Sequence, residues 1–261
     1  MKKLILLLVT AVSLTLSGCS MLGNIAWNEA DLQQALGTAL TGMSINDAQI
    51  VALSRQTVAE LDAQNKIENG PYLRRLTKVL SGITDVEGIP INFKVYQTKD
   101  VNAFACGDGS IRVYTGLMDI MDDEELLAVI GHEMGHVAHQ DTKRAMKNAY
   151  LAAAARGAIG AAGSVGAIAK TALGDIGEMY LSSQFSQKQE LRADEYGFKV
   201  TTEHGCSPYA MYNSLCKLAQ LGSGEKLSSV EQAFSTHPDN AVRAEKMKAK
   251  ADAYVNKPAA Q

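Results

Sequence analysis

The sequence predicts an α+β fold, mainly helical, with a small three-stranded sheet beside one histidine-bearing helix. Apolar residues recur at helical spacing through most of the 261 residues, while three short central segments alternate with period two instead. The first helix is predicted from Asn46 to about Ile67, and a second runs over Tyr72–Leu80 after the Gly70-Pro71 break. Strands are predicted at Ile91–Gln97, Ala103–Cys106 and Ile111–Tyr114, with Gly107-Asp108-Gly109 turning between the last two. The central helix spans roughly 123–139: Asp122 caps it, Glu125 completes a capping box, and Leu126, Leu127, Val129 and Ile130 supply an apolar stripe. The segment SSQFSQKQELRADEYGFKV is predicted to form a further helix starting near Ser182 or Ser183, and Ser207-Pro208 opens another. One folded domain over 46–255 and a polar tail at 256–261 follow.

The central helix carries His132-Glu133-Met134-Gly135-His136 in a chain with only 5 histidines. Histidines four apart on a helix are rotated by about 40° and separated by about 6 Å along the axis, so both imidazoles reach one metal ion. Glu133, next to the first ligand, is positioned to act as general base on water at that metal, as metal-assisted peptide hydrolysis requires. Gly135 costs a helix about 1 kcal/mol relative to Ala, which implies a close neighbour along that face. His139 lies about 10 Å along the axis from His132, too far to share the ion, and belongs to the rim. The metzincin pattern needs Gly at 139 and His at 142; His139 and Thr142 exclude it.

Catalytic zinc commonly takes three protein ligands, so another must come from elsewhere. Glu190 and Asp194 lie four apart on the downstream helix. Glu190 is the candidate third ligand, and Asp194 the acceptor that fixes the tautomer of a liganding imidazole, most simply His132. Beside Lys188 and Arg192 the same carboxylates also read as a solvated, salt-bridged face; the upstream motif favours ligation. Small Ala193 and Gly197 allow this helix to approach the central one closely.

HEMGH followed by ELRAD, preceded by Val101-Asn102-Ala103-Phe104-Ala105 and followed by His237-Pro238, resembles the metallopeptidases of family 48, which include HtpX and the CAAX prenyl endopeptidase. Ile111–Asp119, Ala128–Ala138 and Ser183–Gln187 extend the resemblance, which covers about Ser44 to Arg243 and points to an outer-membrane lipoprotein branch. It implies a gluzincin-like zinc peptidase domain with one Zn²⁺ held by His132, His136 and Glu190, Glu133 as base and Asp194 in support. It further implies a substrate-binding edge strand at Asn102, Ala103 and Phe104. His237 and Arg243 are expected near the site, where a cationic or hydrogen-bonding group can stabilise the reaction's oxyanion. An ordinary core strand and a helix start at His237-Pro238 are the plainer readings of these two segments.

Lys2-Lys3, an apolar run from Leu4 to about Leu16, and Leu16-Ser17-Gly18-Cys19 read as a lipoprotein signal peptide over 1–18 with lipidation at Cys19. Residues 19–45 then form a lipidated tether, and the resemblance to enteric lipoproteins, with Ser20 rather than Asp after the cysteine, implies the periplasmic face of the outer membrane. Several acyl chains make such anchoring stable. Cys106, Cys206 and Cys216 have no zinc-finger spacing and are expected as buried free thiols; at most one disulfide, Cys106 with Cys206, is open to them. In the Ala/Gly-rich interval 151–177 the longest uncharged run, Gly157 to Ala169, is too short to span a bilayer, and the interval is expected either as a mobile lid or as a packed helical hairpin.

With composition ordinary and charge near balance at −3, nucleic acid is not expected as a partner. Unfolded or misassembled envelope proteins are the substrates the resemblance implies, with a larger tetratricopeptide-bearing periplasmic relative as a partner. The rival reading is an envelope chaperone or assembly factor with a gated or silent peptidase site.

Overall fold

The structure, a computed structural model, describes residues 45–156, 168, 170–222 and 237–257. The signal segment, Cys19, nearly all of the tether and residues 258–261 lie outside the described residues. Helix α1 (Asp47–Gln64) begins where the Asn46 side chain accepts from Gln49 N–H and Gln49 returns the bond, a complete capping box. It buries Ile50, Leu53, Val58 and Leu61. A two-residue strand β1 (Ile67–Glu68) follows, then α2 (Pro71–Val79), which uses proline at its first position, where no backbone donor is missed. Strands β2 (Asp85–Val86) and β3 (Ile89–Pro90) form a small hairpin turned through Glu87 and Gly88, both at positive φ.

The main sheet contains β1, β4 (Asn92–Tyr96), β5 (Ala103–Ala105) and β6 (Ser110–Tyr114) in the order β1-β4-β6-β5. β4 and β6 run parallel, Val95 facing Val113, while both outer pairings are antiparallel. The fourth strand, absent from the sequence expectation, is too short for an alternating pattern; its register is set by pairing Ile67 with Tyr96. Gly109 at φ +85 turns β5 into β6, and a Cβ there would lie 2.2 Å from the Pro90 carbonyl oxygen. Asp62 of α1 reaches across to the sheet and accepts from buried Arg112 at 2.7 Å, from Tyr96 at 2.8 Å and from Lys94 at 2.7 Å.

After the short helix α3 (Thr115–Ile120), the central helix α4 (Asp123–Ala138) carries the histidine motif, capped by Asp122 and Glu125. Helices α5 (Asp141–Ala155), α6 (Lys170–Leu181), α7 (Gln187–Glu203), α8 (Ala210–Gly222) and α9 (Asn240–Val255) complete the described fold. α7 begins at Ser186, not at Ser182 or Ser183. Ser186 and Gln189 form the capping box, whereas Ser183 accepts from no helix start and instead donates to the Met179 carbonyl at the end of α6. Of the interval expected as a lid or hairpin, residues 157–167 and 169 lie outside the described residues. Its flanks are packed helix: Ala153, Ala154, Ala172 and Ile176 are buried in one apolar cluster with α1.

Candidate metal centre

α4 and α7 meet along a seam of small residues. A Cβ on Gly131 would come within 2.9 Å of the Gly197 Cα, and one on Gly135 within 2.8 Å of the Ala193 Cα. This backbone-to-backbone approach puts carboxylates from one helix against imidazoles from the other. His132 Nε2 and His136 Nε2 lie 3.1 Å apart. Glu190 places Oε2 3.5 Å from the first and Oε1 3.5 Å from the second. His237 Nδ1 closes the group at 3.2 Å from His132 Nε2 and 3.0 Å from Glu190 Oε1. These four side chains offer donor atoms all within 4.8 Å of one another. His132, His136 and Glu190 are buried, and His237 is half-buried.

The donor set fits zinc. Ligand atoms at about 2.0–2.1 Å on a tetrahedron stand about 3.3 Å apart, close to the observed separations. The outer nitrogens are already committed: His132 Nδ1 bonds Asp194 Oδ1 at 2.8 Å and His136 Nδ1 bonds Asp141 Oδ2 at 3.2 Å. With each Nδ1–H given to a carboxylate, both Nε2 lone pairs face one shared point, an arrangement a cation satisfies.

Charges around the centre follow from this packing. Burial and the Arg243 guanidinium hold His132 below the usual imidazole range. Burial also disfavours a charged His136, but bonds to Asp141 and Glu190 outweigh it and raise that imidazole to about 9 without a metal, so a cation taking its Nε2 lone pair would displace a proton there. Glu190 and Asp194 remain ionised despite burial, Glu190 through His237, His136 and His132 and Asp194 through Arg243 and His132. Arg243, 2% exposed, bonds Asp194 Oδ2 through Nε at 2.7 Å and pairs with Glu190 Oε2 at 2.6 Å. Its charge is engaged by these two carboxylates. Arg243 lines the cleft that contains Glu133 and holds a ligand and a ligand's support together, as a positioning residue does.

His237 stands among the donors, with its Nε2 3.6 Å from Glu133 Oε1. His139 does not join them; its ring packs edge-on to Tyr196 at 6.4 Å. Asp141 and Phe185 were not singled out from sequence. Phe185 stacks on the His136 ring at 4.0 Å, and Asp141 sits beyond a helix break made by Gln140 at φ 58. An acidic residue opening the helix after HExxH was the available signal for Asp141.

β5 is an edge strand, paired on one side with β6. Tyr114 N–H bonds the Asn102 carbonyl and Cys106 N–H bonds Ser110, so even-numbered residues face β6. Ala103 and Ala105 therefore turn their backbone groups to the open side, where the Tyr180 hydroxyl donates to the Ala105 carbonyl. Two clefts flank Glu133 and share Asn102, Ala103 and His237. One is walled by Leu117, Val129, Met211, Leu215 and Leu218; the other by Phe104, Tyr180 and Phe185. Cys106, Cys206 and Cys216 are free thiols; only Cys106 is buried, the other two being half-buried.

Residues 70–251 match the family described as Peptidase family M48. The chain is 40% identical over 254 residues to Metalloprotease LoiP of Escherichia coli strain K12, covering 94% of this chain and 95% of that protein. It is 35% identical to Metalloprotease YcaL of the same strain, over 93% of this chain and 94% of the relative. The Beta-barrel assembly-enhancing protease of Escherichia coli strain K12 is 27% identical over 86% of this chain and 48% of its own length.

Proposed function

We propose, given that this chain belongs to peptidase family M48 and is a zinc-dependent metalloprotease, that it is an endopeptidase lipid-anchored to the periplasmic side of the outer membrane, degrading damaged or misassembled envelope proteins. The observation that carries the endopeptidase reading is Glu133 lying between two clefts along an open strand edge. An extended chain of any sequence binds such an edge through main-chain hydrogen bonds, here to the Ala103 N–H and carbonyl. Unfolded protein offers extended backbone and folded protein does not, which supports damaged substrates. The lipobox-like Leu16-Ser17-Gly18-Cys19 supports the anchor.

His132, His136 and Glu190 would hold the zinc, which when bound would supply Lewis-acid polarisation of the scissile carbonyl. Glu133 takes a proton from the attacking water and delivers it to the leaving amide nitrogen. Asp194 and Asp141 keep the two imidazoles in the tautomer that presents Nε2 inward, and Arg243 holds Asp194 and Glu190 in place.

A second reading, an assembly factor whose peptidase site is gated, draws support from His237. A catalytic zinc site keeps one position open, and His237 Nδ1 stands where a fourth protein donor would close it.

Metal content and casein cleavage of wild type, Glu133→Gln and Glu190→Ala test the reading. Chelator-sensitive cleavage by wild type, zinc without cleavage in Glu133→Gln, and loss of zinc in Glu190→Ala are expected. Cleavage retained by Glu133→Gln refutes the mechanism. Absence of lipid labelling that Cys19→Ala should abolish refutes the anchor.

A further inference from the structure

Beyond the metal centre, a cavity of about 570 Å³ opens between the start of α5, residues 183–185 and the start of α7. Its charged lining is unbalanced: Arg144, Lys188 and Arg192 stand against one carboxylate, Asp141. That carboxylate is already crowded, since Oδ1 accepts from Arg144, from Gln189 at 2.9 Å and from Arg192 at 3.2 Å, while Oδ2 is taken by His136. Lys188 is exposed and has no acidic partner among the described residues, and the Arg192 Nε–H is buried without an acceptor. Two guanidinium groups and an ammonium thus converge on a polar space with donor capacity unspent.

The cavity also adjoins the cleft. Ser183 and Phe185 wall it and, on their other side, wall the space containing Glu133 and the β5 edge. We infer that this cavity is a remote substrate subsite that takes a carboxylate side chain, Asp or Glu, of the peptide laid along β5. A peptide carboxylate completes the charge balance by a charge-assisted bond to Lys188, with Arg144 and Arg192 adding field without leaving Asp141. Apolar contacts on both sides of Glu133 would then be joined by one charge reader at a distance, which selects among otherwise similar extended segments.

This inference rests on the protease reading, so the test keeps the two apart. Fluorescent peptides of one sequence taken from a site cut in casein carry Glu, Gln or Lys at each position from the second to the fifth on either side of the cut bond. Cleavage is measured with wild type, Lys188→Ala and Lys188→Glu, and binding with Glu133→Gln alone and combined with Lys188→Glu, so that affinity is read without turnover. The expected result is about a fivefold higher kcat/KM and tighter binding for Glu than for Gln at one position, weakening as salt rises. The preference should vanish in Lys188→Ala and turn toward the Lys peptide in Lys188→Glu, while the Gln peptide is cut at an unchanged rate. Equal handling of Glu and Gln at every position overturns the subsite, as does a Glu preference that survives Lys188→Glu. Lys188-dependent binding of anionic phosphatidylglycerol vesicles without any peptide preference also overturns it, by making the cavity a membrane contact. Failure to cut even the Gln peptide counts against the protease reading, and the binding arm then still decides the subsite.

Discussion

Replacing Gly135 with alanine adds one methyl group at the tightest point between α4 and α7. The new Cβ would lie 2.8 Å from the Ala193 Cα, 2.9 Å from the Tyr196 Cβ and 3.0 Å from the Ala193 carbonyl oxygen. Two of these neighbours are backbone, so no side chain can swing away. Restoring ordinary contact at 3.4 Å requires α7 to retreat by about 0.6 Å. Overpacking of this kind costs about 1–3 kcal/mol, of which alanine's better helix propensity returns about 1. At about 2–4 °C per kcal/mol for a domain of this size, the melting temperature should fall by only a few degrees. Function should suffer more. Glu190 rides on α7 and both histidines on α4, so the same retreat opens the 3.5 Å donor separations and weakens the metal site. Misplacement of about 1 Å costs on the order of 100-fold in rate, so about 0.6 Å should cost about tenfold in kcat/KM. Gly174 is the matched control. It is also helical, but its added Cβ meets only Gln64 Nε2 at 3.5 Å, so Gly174→Ala should leave activity intact and stabilise the fold by up to about 1 kcal/mol. Calorimetry, zinc content and peptide cleavage measured on both variants decide the matter; a Gly135→Ala protein with full zinc and full activity refutes the close-seam argument.

His237→Ala should retain zinc, because three donors remain, and should raise basal peptide cleavage several-fold by opening the fourth position; a fall in kcat with unchanged zinc would instead assign His237 to the reaction itself. Asp141→Asn removes the carboxylate behind His136 and should weaken zinc binding about 10–100-fold, read by competition with a chromogenic chelator; unchanged affinity refutes its supporting role. Burial raises the Asp62 carboxyl, but bonds from Arg112, Lys94 and Tyr96 outweigh this and hold it below its ordinary value. A carboxyl depressed on folding contributes stability above its unfolded value near about 4 and loses it as pH falls through the lower folded value. Asp62→Asn should therefore cost about 3 kcal/mol at neutral pH, with the gap from wild type closing below about pH 4 in urea melts; a gap independent of pH refutes the ion-pair account.

Local signals in the chain were enough for the helices that matter most. Asp122 and Glu125 mark the start of α4 because capping is chemistry between neighbours, and the His132/His136 spacing projects both rings to one side by helix geometry alone. The start of α7 was misplaced by a similar local ambiguity. Three serines, Ser182, Ser183 and Ser186, offer plausible caps, and the choice of Ser186 depends on where α6 ends, which tertiary packing decides. β1 was illegible for a different reason, since two residues carry no period and gain their strand character only from pairing with β4.

At the centre, legibility ends at the helix that bears each residue. Glu190 and Asp194 declare themselves as carboxylates on one face, yet nothing local says that one faces a metal and the other an imidazole edge. The distances to His132 assign those parts, and they exist only because Gly135 against Ala193 and Gly131 against Gly197 bring two backbones together. Asp141 is hidden behind a break in the chain direction at Gln140, so it returns to His136 from the next helix and falls outside any reading of α4's own face. The same break gives Asp141 two fronts: Oδ2 supports His136, while Oδ1 gathers Arg144, Gln189 and Arg192 at the charged cavity. An anion held by Lys188 in that cavity places a negative charge beside the donors that keep Asp141 ionised and oriented. Occupancy there and metal affinity at His136 are therefore coupled through one carboxylate, and by linkage the metal must change the cavity's affinity for the anion by the same factor.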